Sequence, residues 1–362
     1  MKIWKIGIGF FVVFMLLQFD STVYAASVDS IIEETEHIAA PFGFRASDMV
    51  RKVLSGQSAF SFQALLEWLG RLFFGEWKKT LSLTAKMIAA GMLSGVLVRF
   101  PGGDQKIAGF ACAVFISTIA LQSFSYAQSI TEETTDGLFL FVQGLMPSVG
   151  AAVVASGSAG GAATCSLVFT AMQVFMQILR RFMLPLVAVT VVLSVADGLG
   201  EERYLSGVTT LCKQLFRWST GLLLLFYGAA VGLQTGTAAI FDRLAGKTAK
   251  YAISSFVPVV GGALSDSLET VTVSAKAIRG ALGISGIVGV GFVAVSPVVT
   301  LSTLSLSCKL AGAVVSLCGE KKMVQMIQEI GSGITRLLAV VASSSVMFFI
   351  SVAMLCFIGG AA

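Results

Sequence analysis

Few side chains in this sequence can do chemistry. His37 is the only histidine, and it precedes the long apolar stretches, so a histidine-based triad or a histidine-rich metal site has no donor set. Of the six cysteines, Cys112, Cys165, Cys308 and Cys356 stand in apolar stretches, and Cys212 and Cys318 stand close to them. No pair has metal-site spacing, and thiols so placed act as small hydrophobes. "AGKT" at 245–248 has the tail of a phosphate-binding loop, but Phe241 occupies the position of its leading glycine. "SGSAGG" at 156–161 lacks the first glycine of a nucleophile elbow and suits a turn or tight packing. These residues give no sign of an enzyme, and they imply no cofactor and no metal.

Ionisable residues among apolar ones carry more. Asp197, Asp266, Glu269, Lys276, Arg279 and Lys309 all lie in or beside apolar segments. A charge at mid-bilayer costs several kcal/mol, of the order of 3, unless it is paired or hydrated. The densest case is "FVPVVGGALSDSLETV" (256–271). Pro258 denies a helical hydrogen bond, and Gly261 and Gly262 permit a sharp bend or close approach. Asp266 and Glu269 share one face if 263–275 is helical. This segment is the candidate functional site, a break facing the protein interior, with Lys309 in "LSLSCKLAGAVV" as the buried charge partner of a carboxylate. A helix-end position, snorkelling or a merely structural pair is the plainer account of Lys309.

The elements that must position these residues are helices in a membrane. The sequence is 56% hydrophobic and 12% charged, with a mean hydropathy of +0.87. Its apolar runs are continuous rather than alternating, which favours helices over a β-barrel. The fold class is therefore all-α, a polytopic helical membrane protein with an internal duplication and Pro/Gly-broken segments. The net charge of +5 fits a cytoplasmic loop bias and gives no reason to expect nucleic acid.

Residues 1–26 read as a signal peptide, with Lys2 and Lys5, an apolar run and Val23-Tyr24-Ala25; an uncleaved anchor is the alternative. Residues 27–80 form an external amphipathic helical section that lies on the membrane or packs on the membrane domain. Residues 81–137 form a first hairpin with spans 81–98 and 107–127, a cytoplasmic turn at "RFPGGDQK" and an external acidic loop at "TEETTDG" (131–137).

Half-repeats follow at 138–250 and 251–362. "LMPSVGAAVVA" (145–155) matches "FVPVVGGALSD" (256–266), making Pro147 and Gly150 the counterparts of Pro258 and Gly261. Pro185 and Pro297 stand at similar offsets downstream. Gly91 and Gly95, and Gly228, Gly232 and Gly236, have the four-residue spacing that lets helices approach, within one subunit or between copies in a homo-oligomer.

The run Pro258–Val271, "PVVGGALSDSLETV", together with the signal-like leader and the Gly-rich spans, resembles the stage III sporulation protein AE family of endospore-forming bacteria. The resemblance covers most of the chain after the leader. It implies a multi-pass protein of the mother-cell membrane surrounding the forespore, with its N-terminal section outside the cytosol. It also implies a non-enzymatic subunit of a channel or secretion-like complex needed for forespore development. The implied partners are other membrane proteins of the stage III A sporulation operon and, indirectly, a forespore membrane partner, besides the lipid bilayer. The competing reading of the residues is a secondary transporter for a small solute, supported by the repeat and the broken segments.

Overall fold

The computed structural model describes residues 62–97, 105–155, 159–200, 204–256, 261–317 and 321–357. The side chains of 234–256 and 261–282, and some others near helix ends, lie outside that description. The described elements are α1 (Phe62–Leu97), α2 (Gln105–Ala155), α3 (Ala159–Ile178), a π turn (Leu179–Met183), α4 (Leu184–Leu199), α5 (Ser206–Phe256), α6 (Gly261–Val315) and α7 (Lys321–Phe357). Five stretches are long and apolar enough to cross a membrane: Gly109–Val154, Ala163–Leu199, Ser206–Leu233, Gly289–Val315 and Lys322–Met354. The protein is thus an all-α, multi-pass membrane protein.

Contacts along the helices fix their directions. α2 and α7 advance together, since Ser117 meets Met326, Gly333 lies against Phe124, and Leu145 and Val352 both close on Gly286. α6 runs against them, with Gly289 on Phe141 and Gly286 on Leu145. α4 also opposes α7, through Gly198 on Met326 and Gly333 on Val191. α1 follows α6, with Glu76 bonded to Thr300, Thr80 to Ser307, and Gly91 against Val315. Successive helical rods therefore alternate up and down, counting α3, the π turn and α4 as one rod.

α7 is the axis. Of its span, 61% is buried, against 22% for the span in α5. Small residues make this possible: Gly331 admits Cys308 at 3.1 Å from an added Cβ position, and Gly333 admits Val191 and Phe124. Around them Ile327, Ile330, Ile334, Leu337 and Val341 are fully buried. The hydroxyls of the same helix bond to their own backbone, Ser343 to the Ala339 carbonyl at 2.7 Å and Ser345 to the Val341 carbonyl at 2.7 Å. Where water is absent, this is how a buried serine is satisfied.

Three expectations change. The acidic loop at 131–137 is not a loop: α2 runs unbroken through it, and Thr131, Thr134, Thr135 and Leu138 are buried there. Their hydroxyls bond back to the turn before, as in Thr131 to Ala127 at 2.8 Å and Thr134 to Ile130 at 2.6 Å. Likewise Pro147 lies inside α2 and is exposed, so 145–155 is not a break to match 256–266. Finally, the boundary at 80–81 falls inside α1, and 137–138 and 250–251 fall inside α2 and α5. A 51-residue helix is about 75 Å long, more than twice the ~30 Å hydrocarbon core. Only one apolar half of α2 can occupy lipid.

Candidate functional site: two clusters of charge in the bundle

Two separate groups of charge lie between the helices, about 24 Å apart along the bundle axis by the contacts of α2 and α4 with α7. On α2 the acidic stretch ends at Asp136. Across from it the rod of α3 and α4 widens into the π turn Leu179–Met183, where the Leu184 N–H bonds to the Leu179 carbonyl. Pro185 explains the widening: it has no N–H to donate, and in a regular helix its ring would press on the carbonyl four residues back, that of Arg181. The bulge carries Arg180 and Arg181. Arg180 Nη2 reaches Asp136 Oδ2 at 2.8 Å, while Asp136 Oδ1 is buried with no hydrogen-bond partner. The pair is half exposed (50% and 38%), so it contributes little to stability by itself, about 1 kcal/mol at most.

A second cluster joins α5 to α7. Lys213 Nζ lies 2.7 Å from Glu329 Oε2, and Arg336 Nη2 lies 4.0 Å from the same oxygen. Arg336 is only 15% exposed, its Nη1 is buried without a hydrogen-bond partner, and Arg217 adds positive charge within electrostatic reach. Two cations thus approach one carboxylate, and a third acts on one of them. Nearby, Ser305 on α6 shares a 2.7 Å hydrogen bond with Thr335 on α7, and on α1 Glu76 accepts from both Lys79 (2.6 Å) and Thr300 (3.1 Å). Deeper in the apolar part, Tyr227 bonds to Ser351, and its ring meets Phe175 edge-on at 4.9 Å.

The residues singled out in the sequence are placed as follows. Pro258 lies between α5 and α6, outside the described residues. Gly261 and Gly262 open α6, whose helix carries Asp266 and Glu269 in its first turns; their side chains are outside the description. Lys309 is exposed and stands near the far end of the same helix, about 60 Å of helix axis from Glu269. It is therefore not a buried partner of either carboxylate within one chain. Asp197 has a local task, accepting the Leu205 N–H at 2.8 Å before α5.

The glycines divide. A Cβ on Gly91 would strike Val315, and Gly95 is buried too, so these serve packing within the subunit. A Cβ on Gly150, Gly228 or Gly232 would meet nothing within 4 Å. Gly236 is in α5, its surroundings outside the description.

The sequence reading passed over the Arg180–Asp136 and Glu329 clusters. The signal for the first is present in the sequence: Gln173, Gln177, Arg180 and Arg181 stand at i, i+4, i+7 and i+8, a polar stripe in an apolar span.

The stage III sporulation protein AE family model matches residues 44–359. Stage III sporulation protein AE of Bacillus subtilis (strain 168) is 24% identical over 307 residues, covering 82% of this chain and 76% of that protein. No solved structure matches the chain. With a match that takes in every described helix, the chain belongs to the stage III sporulation protein AE family.

Proposed function

We infer that the protein is a non-enzymatic membrane subunit of a sporulation channel or secretion-like complex. In this reading it sits in the mother-cell membrane around the forespore, with its N-terminal section outside the cytosol, and forespore development depends on it. The observation that carries the reading is the presence of two charge clusters between the helices in a membrane protein of a sporulation family: Lys213 and Arg336 on Glu329, and Arg180 on Asp136. Ion pairs that are partly exposed, as these are, add little stability, about 1 kcal/mol at most. Their use is instead to hold polar segments of neighbouring subunits, or to line the way for polar material. The partners on this reading are other membrane proteins of the stage III A operon and, through them, a protein of the forespore membrane.

Affinity purification from sporulating cells tests it. The companion proteins are expected with the wild-type chain and in reduced amount with Glu329→Gln, at equal protein level. Recovery of none of them with the intact wild-type chain sinks the subunit reading. The same clusters also favour the second reading, a secondary transporter for a small solute. Solute uptake by the purified chain alone in sealed vesicles would decide for that reading.

A further inference from the structure

Beside the π turn is a cavity of about 640 Å³ lined by Phe139, Gln173, Met176, Gln177, Arg180 and Arg181. That volume is in the range of small-molecule sites, about 300–1,000 Å³. Phe139 and Met176 form an apolar side, with Phe139 held by stacking on Phe169 at 6.4 Å. The polar side holds two guanidinium groups and two amides and no carboxylate. Arg180 is engaged with Asp136. Arg181, Gln173 and Gln177 make no hydrogen bond or ion pair among the described residues, so their donors are free. Next to the lining residues in sequence, Leu140, Val174, Ile178 and Phe182 are exposed, between 37% and 62%, as side chains facing lipid are. The pocket also lies where the acidic stretch of α2 gives way to an apolar half, the level at which a membrane–water boundary would cross the helix.

We propose that this pocket binds a phosphate-bearing anion, and that its source is the head group of an anionic phospholipid. Guanidinium and amide donors match phosphate oxygens in number and direction. The π turn supplies the geometry, because it presents Arg180 and Arg181 side by side, one fixed by Asp136 and the other open. Acyl chains then continue from the phosphate over Phe139 and Met176 to the exposed rim. A soluble phosphate would use the same donors but has no use for the apolar wall.

The test uses the full-length protein purified from membranes and returned to nanodiscs of phosphatidylglycerol mixed with phosphatidylcholine. Retained lipid is then counted by native mass spectrometry. The expected result is preferential retention of phosphatidylglycerol, lost at least roughly tenfold in Arg181→Gln and again in Gln177→Leu, with thermal stability unchanged. Both side chains are exposed and unengaged, so neither substitution threatens the fold. Equal retention of the two lipids by the wild type, or retention indifferent to Arg181, overturns the proposal. Inorganic phosphate is the second probe, followed by ³¹P line broadening in detergent. Binding of phosphate that depends on Arg181, without lipid retention, overturns the lipid source and leaves a soluble anion site.

Discussion

At the scale of single residues, the structure separates side chains that pack from those that have room. Gly333→Ala drives a methyl group into Val191 and to 3.3 Å from Phe124, and it should cost about 1–3 kcal/mol. Gly228→Ala and Gly232→Ala meet open space and should leave stability unchanged or raise it by up to about 1 kcal/mol, the helix-propensity gain. Thermal unfolding in detergent distinguishes these outcomes, and an equal loss at all three sites contradicts the packing described. Tyr227→Phe removes one hydrogen bond, about 1 kcal/mol, because Ser351 keeps its bond to the Met347 carbonyl. Tyr227→Ala also empties the contact with Phe175 and should cost about 3–5 kcal/mol. On α1, Glu76 holds the Lys79 ammonium above its ordinary value of 10.5 through a hydrogen bond and its charge. That small contribution is fully present below the ordinary value and is lost as pH rises through the raised one. Lys79→Met should therefore flatten only the alkaline limb of the stability curve above about pH 10.

At the scale of elements, the long helices are where sequence and structure part. Hydropathy identified the apolar material correctly, because burial in lipid or protein demands it either way. It did not identify the ends. "TEETTDG" reads as a loop from its charge, yet its threonines bond to their own helix, and Glu132 is held by Gln128 at 2.9 Å, so the polar stretch costs the helix little. Proline misled as well: Pro147 and Pro297 lie inside helices, whereas Pro185, read only as a repeat marker, reshapes its rod. What the sequence could not show is which distant residue meets Glu329 or Asp136, since those pairs cross between helices. The continuity of α2 has a direct check. Glu133→Pro should cost about 3 kcal/mol or more and abolish the Arg180–Asp136 contact, whereas a proline in a true loop there would be tolerated. Pro185→Ala restores a donor at the π turn and should shift the distance between spin labels at positions 140 and 178.

At the scale of the whole molecule, the bundle is taller than a bilayer is thick, and its two charge clusters stand at different heights. Lys86, Lys309 and Lys322 are exposed at one end, whereas α2 beyond Asp136 exposes Leu140, Pro147 and Val154 and no charge. Before the acidic stretch α2 exposes Ile107, Phe110, Val114 and Phe115, so it has an apolar face on either side, and the stretch itself is where the helix meets water. In intact membranes, a cysteine at position 133 should react quickly with a polar maleimide and one at position 140 slowly; the reverse order would refute this placement. The family, the helical class and the multi-pass character were all legible in the sequence, since each depends on composition or on a local motif. The vertical arrangement was not, because it depends on how six rods of unequal length are set against one another. The π turn affects that arrangement in one more way. It holds one residue more than a regular turn needs, and so it sets the phase between α3, which faces α5, and α4, which faces α7. With Pro185 replaced by Ala, removing a single residue from 179–183 therefore lets the rod close into a plain α-helix with both faces still aimed at their neighbours. Removing one from Val168 or Val195 turns half the rod away from its partner. A scan of single-codon deletions in that background should find one island of tolerance in this rod, at the turn made by "LRRFM".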